Sequence, residues 1–100
     1  MAIDDAAAMR LDRFLWHARL AKTRPFAQAL SESGRLRIDG RPVTRAAAPV
    51  RIGAVLTFAD HRGRVRAIRI TALPARRGPV AEARACYADL ENVSQKAPDD

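Results

Sequence analysis

The segment Arg10–Gly40, RLDRFLWHARLAKTRPFAQALSESGRLRIDG, carries the signals that decide the fold of this 100-residue chain. Its first part places four apolar residues at helical spacing, which predicts a helix over about residues 10–19: Leu11, Phe14, Leu15 and Ala18. Arginines occupy many of the intervening positions, which should remain in water. We therefore expect a small core on one side of this unit and fixed positive charge on the other.

A second helix is predicted over about residues 24–33. Thr23 is a favourable N-cap residue, Pro25 is tolerated in a first helical turn, and Gly34 is a natural residue just beyond a helix end. We expect this helix to bury three apolar side chains: Phe26, Ala27 and Leu30. The linker before it is so short that the two helices must form a compact pair.

A β-hairpin is predicted directly after the helices. Apolar residues alternate with arginines over Arg35–Ile38, as in a half-buried strand, and Asp39-Gly40 is a strong signal for a two-residue hairpin turn. The returning strand, about residues 41–43, contains Pro42. A proline has no N–H to donate and therefore favours the edge of a sheet.

The second half of the chain is predicted to add further strands and a last helix. The strands lie at Val55–Ala59 and Arg64–Thr71, and a bulge near Arg66–Ala67 would reconcile the change of apolar phase in the second one. The helix spans about residues 80–90, with an apolar face made of Val80, Ala83, Tyr87 and Leu90. The fold class is therefore α+β: two N-terminal helices packed on a small, mainly antiparallel sheet, plus a C-terminal helix.

Positive charge is concentrated in the middle of the chain. The whole chain has a net charge of +7, but residues 10–84 hold seventeen cations against five carboxylates, a difference of +12. Such an excess is the electrostatic footprint of a nucleic-acid-binding protein. Arginine outnumbers lysine sixteen to two, and a guanidinium group can hold a phosphate through two parallel hydrogen bonds.

Few residues offer catalytic or metal chemistry. Cys86 is the single cysteine, which excludes a disulfide framework and a cysteine-based zinc site. His17 and His61 are far apart and stand in no metal-ligand or acid–base pattern. We therefore expect no cofactor, no metal, no small-molecule substrate and no enzymatic activity.

No segment is predicted to enter a membrane. The apolar runs fall far short of the roughly 18 residues needed for a span, and the first nine residues lack the basic region of a signal peptide. A role at a membrane surface is disfavoured as well, because the apolar side of the first helix is committed to the core. We expect a cytoplasmic protein.

The segment Arg10–Gly40 resembles the S4-type RNA-binding domain (the alpha-L motif), first defined in a small-subunit ribosomal protein. The matching sequence motifs, in order, are Arg10-Leu11-Asp12, Lys22-Thr23-Arg24, Gly34-Arg35-Leu36 and Asp39-Gly40. Asp39 replaces the commoner asparagine of the turn, which places a negative charge beside the expected RNA. The resemblance implies the same helix pair on a sheet, and binding to structured RNA.

Other short motifs resemble those of the ribosome-associated heat shock protein 15 subfamily: Phe14-Leu15-Trp16, Arg76-Arg77-Gly78-Pro79 and the helix that follows. The resemblance implies a stress-related bacterial protein that binds ribosomal RNA on large ribosomal subunits still carrying a stalled nascent chain and tRNA. We accordingly predict an RNA-binding domain at residues 9–72, a basic linker and C-terminal helix at 73–91, and disordered tails at 1–8 and 92–100. We also expect a monomer, and include tRNA and, non-specifically, DNA among the candidate partners.

Nine residues are predicted to contact RNA. Most belong to the helix pair, where the end of the first helix and the start of the second would straddle the RNA backbone, and the others flank the hairpin: Arg10, Arg13, Arg19, Lys22, Thr23, Arg24, Arg35, Arg37 and Arg41. The alternative for each set is an ordinary solvated face, with Asp12 paired to a neighbouring arginine. Trp16 is expected to pack against the strands or the last helix, with stacking on an RNA base as the alternative.

Two further basic strips, Arg62–Arg69 and Arg76-Arg77, would provide either general steering toward RNA or a second contact. Two other classes of function remain open at this point. An RNA-modifying enzyme would need a catalytic domain, for which the remaining residues leave no room. A constitutive ribosomal or assembly protein would be present on every subunit and would survive high-salt washing.

Overall fold

The architecture is described by a computed structural model over residues 7–60 and 62–90. In chain order its elements are β1 (Met9–Arg10), α1 (Leu11–His17), α2 (Arg24–Glu32), β2 (Leu36–Ile38), β3 (Arg41–Val43), β4 (Pro49–Val50), β5 (Val55–Ala59), β6 (Val65–Ile70), α3 (Val80–Arg84) and β7 (Tyr87–Asp89). None of the helices in these residues is long and apolar enough to cross a membrane. The predictions for His61, for the tail 92–100 and for most of the tail 1–8 lie outside the described residues.

Five strands form the main sheet, in the order β3-β2-β5-β6-β7, and every neighbouring pair is antiparallel. A separate two-stranded sheet pairs β1 with β4. β3, which contains Pro42, lies at one edge of the main sheet, where a missing N–H donor is tolerated. These findings confirm the α+β fold class with its mainly antiparallel sheet.

The helix pair and the main sheet share one core. Fully buried side chains from both layers compose it: Leu11, Phe14 and Leu15 from α1, and Leu36, Leu56, Ile68 and Ile70 from the strands. Ala27 of α2 and Cys86, just after α3, belong to the same cluster. Because burial of each large apolar side chain contributes roughly 1.5–3 kcal/mol, the helices and the sheet stabilise each other.

Backbone contacts, rather than a capping side chain, begin α1. The N–H of Leu11 donates to the carbonyl oxygen of Ala48 at 2.8 Å. The N–H of Asp12 donates to the carbonyl oxygen of Ala46 at 3.1 Å, so the loop before β4 satisfies the first donors of the helix. The helix ends earlier than predicted, because Arg19 adopts a left-handed backbone with a φ of 61°.

α2 begins and ends as its sequence predicted. The Oγ1 of Thr23 accepts a hydrogen bond from the N–H of Phe26 at 3.1 Å, which is the expected N-cap. Ser33 is the C-cap, and Gly34 follows with a φ of 81°, a conformation that glycine adopts without strain.

The buried stripe of α2 differs from the prediction. Ala27 and Ser31 are buried, Leu30 is half-buried, and the side chain of Phe26 is 42% exposed. Ala27 and Ser31 stand four residues apart and so form the stripe that faces the core. Phe26 and Leu30 form the neighbouring stripe, at the flank of the interface. The prediction that Phe26 is buried was therefore wrong.

The turn of the hairpin is confirmed and ties the hairpin to the sheet. Asp39 and Gly40 have φ values of 52° and 85°, and Ile38 pairs with Arg41 across the turn. The carboxylate of Asp39 accepts a hydrogen bond from the N–H of Val55 at 2.9 Å, and the N–H of Asp39 donates to the carbonyl oxygen of Val55 at 2.8 Å. The carboxylate in the turn therefore has a structural partner in β5.

The bulge predicted near Arg66–Ala67 is wrong. β5 and β6 pair residue by residue without interruption, from Val55 opposite Arg69 to Ala59 opposite Val65. Val65 is 58% exposed and lies on the face away from the core. The alternation of apolar residues along β6 changes phase in the sequence because this exposed residue is apolar, and the strand register itself does not change.

The last helix is much shorter than predicted. α3 ends at Arg84, and Tyr87–Asp89 form β7 on the edge of β6. Alanine-rich sequences favour a helix, but the edge of β6 offers backbone hydrogen bonds that a continuing helix would leave unmade. Of the predicted apolar face, Ala83 is buried, whereas Val80 is 57% exposed.

Candidate nucleic-acid interface

A polar groove runs between α1 and α2. Arg10, directly before α1, and Arg13 of its first turn line it from one side, and Arg24 and Gln28 line it from the other, together with Asp12. Packing of the two helices thus brings together three of the predicted RNA-contacting arginines.

Arg10 differs from the other arginines of this groove because it is ion-paired. Its Nε and Nη2 atoms donate to the two carboxylate oxygens of Asp12 at 3.0 and 3.1 Å. These hydrogen bonds and the negative charge of Asp12 raise the pKa of Arg10. The alternative in which Asp12 pairs with a neighbouring arginine is therefore realised at Arg10. Arg10 would reach a phosphate only by sharing its guanidinium with Asp12.

Three cations of the helix pair lie at the surface without a carboxylate partner among the described residues. Arg13, Lys22 and Arg24 are exposed, and none of their side chains forms an ion pair or hydrogen bond with another described residue. We call these three residues the helix-pair surface. Thr23 lies between two of them and uses its Oγ1 to cap α2, where the positive end of the helix dipole adds to the charge.

Trp16 is the aromatic centre of this region. The guanidinium carbons of Arg24 and Arg77 lie 5.1 and 5.0 Å from its ring centroid, within the range of cation–π interactions. The side chain is half-buried and packs against the core cluster. Trp16 thus packs against the core cluster, and two arginines lie over its ring.

Arg19 and Arg77 join the C-terminal segment to the end of α1. The Nε of Arg19 donates to the carbonyl oxygen of Gly78 at 2.7 Å. The Nη1 of Arg77 donates to the carbonyl oxygens of Trp16 and Ala21, at 3.3 Å for the latter, near the end of α1. Burial lowers the pKa of Arg77, and the nearby charge of Arg19 lowers it further.

Two more arginines of the predicted basic strips are paired with carboxylates. The Nη2 of Arg66 lies 2.8 Å from Asp89, and that of Arg76 lies 3.0 Å from Glu82. Together with Arg77 they are called the C-terminal arginines. Each is used by the fold of the second half of the chain.

The hairpin arginines do not share one face of the sheet. Residues opposite each other in antiparallel strands point to the same side. Arg41 is opposite Ile38, on the side of the core, whereas Arg37 lies between Leu36 and Ile38 and points to the other side. Arg35 precedes β2 and is exposed. Arg37 therefore faces away from the helix pair, and it would contact RNA only from the other side of the sheet.

A second groove contains a cation that the sequence did not single out. Arg84 of α3 lines it together with Arg19, Lys22 and Arg77. Arg84 is exposed, and its side chain forms no ion pair with another described residue. The only signal in the sequence was a basic run ahead of a short helix, because Arg84 and Lys22 come to line one groove only through the tertiary fold.

The described residues offer neither a metal site nor an activated nucleophile. They contain no group of three or more His, Cys, Asp or Glu side chains that could hold a metal ion. Burial, with the charge of Glu82, raises the pKa of the Cys86 thiol, and a neutral thiol is a poor nucleophile. The Nδ1 of His17 lies 3.4 Å from the carbonyl oxygen of Pro74, so this ring packs against the C-terminal segment.

Comparison with known proteins gives matches along most of the chain. Residues 9–56 match the S4 domain family. The chain is 33% identical over 88 residues to the Heat shock protein 15 homolog of Haemophilus influenzae, covering 88% of this chain and 66% of that protein. It is 30% identical over 91 residues to Heat shock protein 15 of Escherichia coli strain K12, covering 91% of this chain and 67% of that protein. The chain thus spans about two thirds of the length of these relatives.

A solved structure shares the fold. It is described as the trimeric structure of Vibrio cholerae Heat Shock Protein 15, and it superposes with a TM-score of 0.79 at 30% sequence identity. The match covers 90% of this chain and 89% of that one, so it includes the segment beyond residue 56 that the S4 domain match leaves out.

Proposed function

Because the chain belongs to the heat shock protein 15 family and matches the S4 domain, we propose that it binds structured ribosomal RNA without catalysing a reaction. The observation that carries this proposal is the helix-pair surface. Arg13, Lys22 and Arg24 present three exposed cations at the junction of two packed helices, without a carboxylate partner among the described residues. Contacts of this kind with phosphates fix the position of a protein on RNA and weaken steeply with salt.

The geometry favours a folded RNA over a flexible strand. Arg13 and Arg24 stand on two helices whose packing is set by the core, and Lys22 lies in the short connection between them, so the spacing of the three charges is constrained. A rigid set of charges matches phosphates that are themselves held at fixed positions, as in an RNA helix or a tertiary junction. The predicted contacts of Arg10, Arg19, Thr23, Arg35, Arg37 and Arg41 are retained here as secondary ones, and Arg84 is added to them.

The proposal extends to the biological target. The RNA is that of large ribosomal subunits that still carry a nascent chain and tRNA, and the protein acts in the cytoplasm in stress-related rescue or recycling of these subunits. Family membership supports this step, since the relatives are named heat shock proteins. One chain supplies the whole helix-pair surface, so a monomer suffices for binding, although the Vibrio cholerae relative was solved as a trimer.

The test is sedimentation with purified ribosomal particles. Wild-type protein is compared with an Arg13→Gln/Lys22→Gln/Arg24→Gln variant (the helix-pair variant). An Arg62→Gln/Arg64→Gln/Arg69→Gln variant removes the same charge from other exposed positions and serves as the control. We expect wild type and control to sediment with large subunits, more tightly when peptidyl-tRNA is present, and the helix-pair variant to remain in the supernatant.

Two outcomes would contradict parts of the proposal. Equal binding by both variants would remove the helix-pair surface as the contact site, and no association of wild type with any particle would contradict ribosome binding. The number of bound chains per subunit in cells separates the alternative function. A constitutive ribosomal or assembly protein would be present on every large subunit and resist a high-salt wash.

A further inference from the structure

Phe26 is an exposed aromatic ring that the core does not explain. Phe14 and Phe58 are 0% and 3% exposed, whereas Phe26 is 42% exposed. The ring stands one residue from the buried Ala27, at the flank of the α2 stripe. An exposed ring at a charged surface forgoes the stabilisation of burial, so its surroundings show what else it could contact.

The ring forms one wall of an apolar groove between the helix pair and β5. Leu20 and Leu30, both half-buried, and Phe58 provide its other apolar contacts. The groove has a volume of about 420 Å³ and is open to solvent. That volume lies within the roughly 300–1,000 Å³ range of pockets that bind small organic groups. We call this feature the apolar groove.

The rim of the apolar groove is cationic. Arg19, Lys22 and Arg66 line it, and Lys22 belongs to the helix-pair surface as well. Asp60 also lines the groove, but its Oδ1 accepts hydrogen bonds from the backbone N–H groups of the turn that follows, at 2.9 and 3.0 Å. Arg66 is paired with Asp89, so Arg19 and Lys22 against Asp60 leave the rim positive, and Lys22 makes the rim continuous with the proposed phosphate contacts.

An apolar wall with an aromatic ring, surrounded by cations, is complementary to one nucleotide. The base has a flat apolar face that stacks on aromatic rings, and the phosphates on either side of it carry negative charge. Unstacked bases from loops and bulges are recognised in this way by RNA-binding proteins. An aliphatic peptide helix would fill the groove but would gain nothing from the cationic rim.

We infer that the apolar groove takes a single unpaired nucleobase of the bound RNA, stacked on Phe26, with Lys22 and Arg19 on the adjoining phosphates. This inference rests on the proposed function, because the base belongs to the RNA held by the helix-pair surface. The apolar groove would thereby contact an unpaired nucleotide, whereas the helix-pair surface contacts phosphates only.

The backbone of Phe26 is held in place before RNA arrives. Its N–H donates to Thr23 at 3.1 Å, and the preceding Pro25 has a restricted φ. The backbone that carries the ring is therefore ordered before a base stacks on it, which lowers the ordering cost of binding.

The test uses three fluorescent RNA hairpins that differ at one position. The first has a single bulged adenosine, the second an abasic residue in the same bulge, and the third is fully paired. Dissociation constants are measured for wild type, Phe26→Ala, Phe26→Tyr and the control Ile52→Ala, which removes an apolar side chain that is 61% exposed and lies outside the groove.

We expect wild type to bind the adenosine bulge about fivefold or more tightly than the abasic bulge, as stacking on one base provides. Phe26→Ala should lose this ratio and keep its affinity for the paired hairpin, whereas Phe26→Tyr and Ile52→Ala should retain the ratio. Binding of all three hairpins with no preference in wild type would overturn the groove inference and leave the proposed function standing. No binding of wild type to any hairpin would also overturn the groove inference, and sedimentation with ribosomal particles then decides the proposed function separately.

A second measurement needs no variant. With 4-thiouridine in the bulge, irradiation of the wild-type complex should attach RNA to the tryptic peptide 23–35, which contains Phe26 and is not cut at the Arg24–Pro25 bond. Crosslinks confined to other peptides would overturn the inference even if the Phe26→Ala variant failed to fold.

Discussion

The cations of the helix pair and those of the C-terminal segment differ in what surrounds them. Arg13, Lys22 and Arg24 are exposed, without an ion pair to another described residue. Arg66 and Arg76, in contrast, are paired with carboxylates, and Arg77 donates to backbone carbonyls at the end of α1.

The difference shows that a count of arginines does not measure a binding surface. An arginine that donates to a carbonyl or carboxylate of its own chain has part of its hydrogen-bonding capacity in use, and a ligand must compete for it. Arg66 pairs with Asp89 of β7 and Arg77 fastens the segment after β6 to the end of α1, whereas the ion pair of Arg76 is exposed. The helix-pair surface is therefore the expected ligand contact, and the C-terminal arginines are its support.

The largest effect is expected from the helix-pair variant. Each lost phosphate contact lowers the salt slope of binding by about 0.9. Three lost contacts should reduce the slope by about 3 and weaken RNA affinity by about 100-fold near 0.15 M salt. Titrations of a fluorescent hairpin at several salt concentrations measure both quantities. A loss of affinity with an unchanged slope would mean that these side chains do not neutralise phosphates.

A smaller effect, on stability rather than on binding, is expected from Arg77→Ala. The substitution removes two hydrogen bonds to carbonyls and a cation–π contact with Trp16, so the free energy of unfolding should fall by about 1–3 kcal/mol. The neighbouring Arg76→Ala removes only an exposed ion pair and should change it by about 1 kcal/mol or less. Urea unfolding of both variants tests the contrast. Equal effects would show that Arg77 does not fasten the segment to α1.

A still smaller effect is expected at β7. Arg66 is ion-paired with Asp89, and its guanidinium carbon lies 5.7 Å from the ring centroid of Tyr87. A double-mutant cycle with Arg66→Ala and Asp89→Ala should give a coupling energy of about 0.5–1 kcal/mol. Hydrogen exchange should show faster opening of the Leu90 N–H, which donates to Ala67 at 2.8 Å. Independent, additive effects of the two substitutions would mean that this ion pair does not hold the strand.

The smallest effect concerns the pH dependence of stability at Cys86. Burial and the charge of Glu82 raise the pKa of its thiol above the usual 9.0, so the folded state favours the protonated form. This contribution is complete below the unfolded pKa and is lost as pH rises through the folded pKa. The free energy of unfolding should therefore fall more between about pH 8 and about pH 10 in wild type than in Cys86→Ala. Parallel pH profiles of the free energy of unfolding in the two proteins would contradict a raised pKa of the Cys86 thiol in the folded state.

Local signals in the sequence predicted the first half of the fold well. A capping residue at Thr23 and a turn at Asp39-Gly40 act on neighbouring backbone groups, so their roles do not depend on distant residues. The resemblance carried by Arg10–Gly40 is confirmed by the S4 domain match over residues 9–56. The cations of the helix-pair surface lie in the segment that carries this resemblance.

Features that depend on distant partners were not predicted. β7 forms because the edge of β6 is available to it, and β1 forms because β4 lies beside it. The exposure of Phe26 follows from which stripe of α2 meets the core. The carbonyl partners of Arg19 and Arg77 come from segments more than fifty residues away, and no local pattern in the sequence could have indicated them.

Chemical modification of arginines with phenylglyoxal, with and without bound large ribosomal subunits, tests whether RNA contacts the helix-pair surface. Mass spectrometry reports the modification of each arginine in the same sample. Bound RNA should protect Arg13 and Arg24 strongly, while Arg69, on the far face of the sheet, should react equally in both states. Protection of Arg69 with unchanged reactivity of Arg13 and Arg24 would contradict the assignment of the helix-pair surface as the RNA contact.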